Sequence, residues 1–133
     1  MPSPATFSRS DQATSDSVAR LRHAVADFAN QHGASGRTLE SVSLALSEAL
    51  TNAAVHAYRH VAEPGPVTVT AAVRDASLLV IVADEGIGMS PRADSPGLGL
   101  GLGMMATLAE RFEIDGDGGS GGVVLRMTFP LEE

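Results

Sequence analysis

The sequence predicts an α+β sandwich, a two-layer fold in which helices cover one face of a largely antiparallel sheet. Three observations carry this expectation. Two N-terminal stretches repeat apolar residues at three- and four-residue spacing, β-rich runs joined by short polar links follow them, and 133 residues leave room for one core. The element order reads ααββαββ. A composition of 44% hydrophobic and 19% charged residues is that of a globular chain.

Met1 to about Asp16 is mostly Ser, Thr, Pro, Asp and Gln, and reads as a flexible N-terminal arm, with the domain occupying residues 17–133. From Ser17, the apolar residues Val18, Leu21, Val25 and Phe28 mark the first helix, and Asn30 to Gly36 ends it. Thr38 can cap a second helix with an apolar stripe of Leu39, Val42, Leu46, Leu50, Ala53 and Ala57, broken near Glu63-Pro64-Gly65-Pro66. Val67 to Arg74 and Leu78 to Ala83 are rich in β-formers, and Asp75-Ala76-Ser77 suits a hairpin between them. Asp84 to Gly103 is a long Gly-, Pro- and Ser-bearing stretch, of a length usually tied to function in so small a domain. Met104 to Arg111 reads as a short helix. Phe112 to Asp115 and Val123 to Phe129 form the last two strands, joined by the glycine-rich Gly116 to Gly122.

Composition excludes several functions. All nine basic residues are Arg, so chemistry that needs a lysine amine, such as a P-loop or a Schiff base, is absent. Sixteen acidic residues give a net charge of -7, which repels a phosphate backbone and argues against nucleic-acid binding. There is no Cys, hence no disulfide framework and no thiolate zinc site. No apolar run approaches the roughly 20 residues that span a bilayer, and the N-terminus lacks a secretory pattern, so the expected location is the cytoplasm.

Three constellations can carry chemistry. Glu48, Asn52 and His56 recur at i, i+4 and i+8 in the second helix, opposite much of the leucine stripe. They offer a base, a neutral oxygen ligand for a hard cation and a phosphate donor, or simply a solvated polar face. Asp84, followed by Gly86 and Gly88, ends a strand where its carboxylate can accept a hydrogen bond from an exocyclic amine such as that of adenine; an ordinary Asp-Gly turn is the alternative. The run Gly97-Leu98-Gly99-Leu100-Gly101-Leu102-Gly103 precedes a helix, so backbone N–H groups can converge on phosphate. A dinucleotide fingerprint fails there, because Met104 stands where the third glycine would fall.

Together, the E-x-x-x-N-x-x-x-H helix, the D-x-G-x-G turn and the later glycine box resemble the nucleotide-binding fold shared by gyrase, Hsp90-type chaperones, histidine kinases and the mismatch-repair MutL proteins. Within that group the chain looks most like the stand-alone anti-sigma factor serine/threonine kinases, over roughly Ser17 to Phe129, with Ser47 to Tyr58 the most specific unit. The resemblance implies binding of ATP and Mg²⁺. Asn52 would hold the ion and Asp84 would read the adenine amine. His56, Gly86, Gly88, Gly99, Leu100, Gly101, Leu102 and Gly103 would line the pocket, with Met89 to Pro96 as its lid. Glu48 would be the catalytic base toward a serine of an anti-anti-sigma (STAS) protein. It also implies a sigma factor as partner, Arg20 on the first helix as a partner-binding residue, and a homodimer.

Two positions depart from that pattern. Pro96 and Gly97 stand where relatives often carry a phosphate-facing arginine, the nearest basic residue being Arg92, and Val123 and Val124 follow the last glycine turn where a threonine is usual. One lost neutral hydrogen bond weakens binding by about 0.5–1.5 kcal/mol. An ATP-binding interaction switch with little phosphotransfer is therefore the competing expectation. A histidine kinase is disfavoured because no upstream helical hairpin presents a phospho-accepting histidine. In a simple ATPase, water would replace the serine hydroxyl.

Overall fold

The computed structural model describes residues 5–57, 63, 65–85, 103–115 and 122–131. Its elements are β1 (Thr6–Gln12), α1 (Ser15–Gln31), α2 (Gly36–Asn52), a π-helical turn (Ala53–Ala57), β2 (Pro66–Arg74), β3 (Ser77–Asp84), the short helix α3 (103–108), β4 (Arg111–Asp115) and β5 (Val123–Pro130). The strands form one five-stranded sheet in the order β1-β2-β3-β5-β4, with every neighbouring pair antiparallel. This is the expected α+β fold. No described helix is long and apolar enough to cross a membrane.

Strict alternation along the central strands builds the core. Val67, Val69 and Ala71 of β2, Leu78, Val80 and Val82 of β3, and Val123, Leu125, Met127 and Phe129 of β5 are all buried on one face. The register sets Val69 against Val82 and Val82 against Leu125. Slipping one strand by a single residue would turn its apolar set outward. The hairpin between β2 and β3 turns at Asp75, whose φ of 57° is a left-handed conformation that a short polar side chain tolerates.

The helices pack on that face through Leu21, Val25 and Ala29 of α1 and Val42, Ala45, Leu46, Ala49 and Leu50 of α2, all within a single hydrophobic cluster. Helix α1 begins at Ser15, earlier than its apolar spacing suggests, because Thr14 caps it by accepting the Ser17 N–H at 3.3 Å. The cap of α2 is Ser35, which accepts the Thr38 N–H at 3.1 Å, and not Thr38. Thr38 lies in the first turn, buried, and donates its hydroxyl to the Pro130 carbonyl at 2.7 Å. That tertiary bond ties the start of α2 to the end of β5. Helix α3 ends earlier than expected because the Glu110 N–H joins the sheet by donating to the Thr128 carbonyl at 2.8 Å, so Arg111 already opens β4.

The largest correction concerns the arm expected over residues 1–16. Thr6 to Gln12 pair with Ala72 to Pro66 as an edge strand, and the Ala13 N–H bonds the Gly65 carbonyl. Composition hid this strand because its outward side chains are polar: Ser8 meets Thr70 at 3.3 Å and Ser10 meets Thr68 at 2.7 Å. On the inner side only Phe7 is apolar, stacked 5.8 Å from Phe28 of α1. Asp11 completes the attachment, accepting from Arg20 of α1 at 2.9 Å.

Phe129→Ala removes the largest fully buried side chain and is expected to cost about 3–5 kcal/mol, read as a fall in unfolding midpoint in denaturant. The Asp11 carboxyl is held below its ordinary range, first by the hydrogen bond from Arg20 and then by the Gln12 N–H. A lowered folded value means that its contribution is complete above the ordinary carboxyl range and disappears as pH falls through the lowered value. Native protein should therefore melt above Asp11→Asn at neutral pH, and the two melting temperatures should converge on acidification.

Candidate functional site

Helix α2 supplies the first part of the site. Glu48 and Asn52 stand one turn apart, Glu48 half-buried and Asn52 only 5% exposed. Asn52 thus belongs to the buried arc with Ala49 and Ala53, and the expectation that this row lies opposite the apolar stripe is corrected. Its position suits the end of a helix that stays on the sheet as far as Ala53. Among the described residues, the Asn52 side-chain nitrogen has no hydrogen-bond partner. A buried amide left this way costs about 1–3 kcal/mol, so such a group calls for a ligand or another specific explanation.

Immediately after Asn52 the backbone changes pitch into the π-helical turn Ala53–Ala57, which includes His56. Positions 52 and 56 are therefore joined through a π-helical turn and not by a regular α-helical i, i+4 repeat. Single π turns within helices are concentrated at functional sites, where the widened i→i+5 spacing redirects the chain.

The end of β3 supplies the second part. The buried positions Leu78, Val80 and Val82 are followed, two residues on, by Asp84, which is 8% exposed. The alternation that fills the core thus carries a carboxylate to the inner face at the rim of the sheet. Asp84 is paired with Val67 on one side and Val123 on the other. The two parts lie toward the same end of the sheet. Helix α2 starts against Pro130, at the C-terminal end of β5, and its 17 residues rise about 25 Å, much the length of the strand. With its buried face kept on the sheet from Thr38 to Asn52, it runs back toward the edge where β5 begins beside Asp84.

Gly103, in α3, has clear space beside it, since an added Cβ would meet nothing within 4 Å. Gly86, Gly88, Gly99, Leu100, Gly101 and Leu102 lie outside the described residues, as does the lid expected over Met89 to Pro96. Arg20, 58% exposed, is not a solitary surface arginine: Nε and Nη2 both donate to one Asp11 oxygen, at 3.2 and 2.9 Å, and Nη2 also reaches the Ser17 hydroxyl at 3.2 Å. It borders an open groove of about 550 Å³ between β1 and α1, shared with Phe7, Arg9, His23, Asp27 and Phe28. Asp11, the anchor of Arg20, went unnoticed within a polar N-terminal stretch. Gly122, which packs on the backbone at Asp84, was hidden in the low-complexity glycine run.

Comparison with known proteins agrees with this architecture. A family model described as histidine kinase-like ATPase domain matches residues 12–129. The chain is 31% identical to an anti-sigma F factor of Clostridium acetobutylicum, over 91% of this chain and 92% of the relative. It is 30% identical to a serine-protein kinase RsbW of Bacillus mycoides, over 80% of this chain and 75% of the relative. Among solved structures, the RsbU and RsbW domains of a Mycobacterium tuberculosis protein superpose on 97% of the chain with a TM-score of 0.77 at 23% identity, a likeness of fold. The histidine kinase domain of a blue-light activated kinase from Erythrobacter litoralis superposes on 86% with a TM-score of 0.61 at 25% identity. The chain spans a third of the first of these structures and 61% of the second. With a family match over most of its length and near full-length relatives at 30% identity or more, the chain belongs to the histidine kinase-like ATPase domain family, among its anti-sigma factor and serine-protein kinase members.

Proposed function

We propose that the protein is an ATP-dependent anti-sigma regulator of the cytoplasm that binds a sigma factor and phosphorylates a serine of an anti-anti-sigma (STAS-type) antagonist. The observation that carries this reading is the side-chain nitrogen of Asn52, buried at the end of α2 one turn beyond Glu48 and without a hydrogen-bond partner among the described residues. A carboxamide there fits the preference of Mg²⁺ for one or two protein oxygens alongside substrate phosphates, with the side-chain nitrogen left to donate to a phosphate oxygen. Asp84, presented at the rim of the sheet, accepts a hydrogen bond from the adenine 6-amino group. His56, Gly86, Gly88, Gly99, Leu100, Gly101, Leu102 and Gly103 would line the ATP pocket.

Within this site Glu48 orients the incoming serine hydroxyl and accepts its proton as the serine oxygen bonds to the γ-phosphorus and the bond to the β,γ-bridging oxygen breaks, leaving ADP. When bound, Mg²⁺ neutralises the phosphate charge that accompanies this transfer. Arg20 contributes to partner recognition, with Asp11 holding its guanidinium toward the groove between β1 and α1. A second reading, an ATP-controlled interaction switch with little phosphotransfer, is favoured by the start of β5: Val123 and Val124 carry no hydroxyl to support the adenine.

At Mg-ATP about 100 times Kd, ligand binding stabilises a protein by about 2.7 kcal/mol. The native chain should show the corresponding rise in melting temperature, and Asn52→Ala should lose it. Glu48→Gln should keep the Mg-ATP shift while transfer of labelled phosphate to the STAS partner falls about 10²- to 10⁴-fold. A native protein that binds Mg-ATP but transfers no phosphate would establish the switch in place of the kinase.

A further inference from the structure

Gly122 is buried immediately before β5, with φ of +75°. Because Val123 is the partner of Asp84, the chain at Gly122 passes directly over the peptide that joins Asp84 to Glu85. A Cβ added at Gly122 would overlap the Asp84 carbonyl oxygen and sit 2.9 Å from both the Asp84 carbonyl carbon and the Glu85 Cα. All three are backbone atoms, so no rotamer change makes room for it. Gly33 offers a contrast: its φ of +89° is equally left-handed, yet a Cβ there meets nothing within 4 Å. Position 33 needs glycine for its torsion alone, whereas position 122 needs it for torsion and for contact with the Asp84 backbone.

We infer that Gly122 is a positioning residue for the nucleotide base: its bare backbone packs on the Asp84–Glu85 peptide and fixes where the Asp84 carboxylate leaves the sheet, which sets the preference for a 6-amino purine. The inference rests on the reading of Asp84 given under Proposed function. An aspartate side chain is short, so the place of its carboxylate follows the backbone closely. A hydrogen bond to an amine weakens once donor and acceptor leave the 2.7–3.2 Å range. The same carboxylate faces an acceptor when the purine carries oxygen at position 6, as in ITP.

The test measures Mg-ATP and Mg-ITP affinity by calorimetry on the full chain and on Gly122→Ala, Gly33→Ala and Asp84→Asn, with circular dichroism verifying the fold. Gly122→Ala is expected to lose ATP affinity by about tenfold or more while ITP affinity changes little, so that the ATP-to-ITP ratio collapses. Gly33→Ala should keep the native ratio despite its backbone strain, and Asp84→Asn should collapse it. A folded Gly122→Ala with the native ratio, beside a collapsed ratio in Asp84→Asn, would overturn the role of Gly122 and leave that of Asp84 standing. An unchanged ratio in Asp84→Asn would instead remove the reading of Asp84, and this inference with it. If Gly122→Ala is unfolded in buffer, the titrations are repeated in trimethylamine N-oxide, which favours the compact state. A chain still unfolded there would show that Gly122 serves folding and not base positioning, and would also overturn the inference.

Discussion

The register of β3 is the constraint on which the rest of this protein depends. The strand is paired along its whole length with β2 on one side and β5 on the other. Its period of two places Leu78, Val80, Val82 and then Asp84 on the same inner face. The first three make core and the fourth carries a carboxylate to the rim, so packing and the candidate site share one alignment. A strand that slipped would lose both at once, because the apolar set and the terminal carboxylate would turn outward together. The bare backbone of Gly122 lies against the end of this ladder, with no room for a Cβ.

A second alignment joins the helices to that ladder. The Thr38 hydroxyl holds the first turn of α2 to the Pro130 carbonyl, and the buried arc from Val42 to Ala53 keeps the helix on the sheet. The amide of Asn52 is therefore delivered by packing to a buried place where nothing described satisfies its nitrogen. The pitch change that follows releases the chain from the helical repeat at that point. An unpaired buried donor at the end of a well-packed helix is a local cost of about 1–3 kcal/mol, the kind of group that calls for a specific explanation.

The direction of Arg20 depends on the edge strand. Arg20 would wander in solvent if α1 stood alone. Asp11 of β1 receives two of its donors, so the strand and the helix together define the guanidinium's direction beside the groove. Exposure on both sides of this pair means that its energy is small and screened by salt. Its value is orientational.

Much of this was legible in the amino-acid order. Helical spacing in α1 and α2, alternation in β2, β3 and β5, and the motif residues Glu48, Asn52 and Asp84 are local patterns, and local patterns survive without knowledge of the fold. The strand at Thr6–Gln12 was not legible, because its polar side chains look like a solvated tail and only pairing with β2 makes them a sheet edge. Nor was the true cap of α2, since Ser35 and Thr38 are equally good candidates until Pro130 engages the Thr38 hydroxyl. Sequence by itself determined the fold class, the family and the identity of the chemical groups. Tertiary structure alone decided that Asn52 is buried without a partner for its nitrogen, that Asp11 holds Arg20, and that Gly122 lies against Asp84. Those facts arise from contacts between segments distant in the chain, and no pattern within a short stretch of residues encodes them.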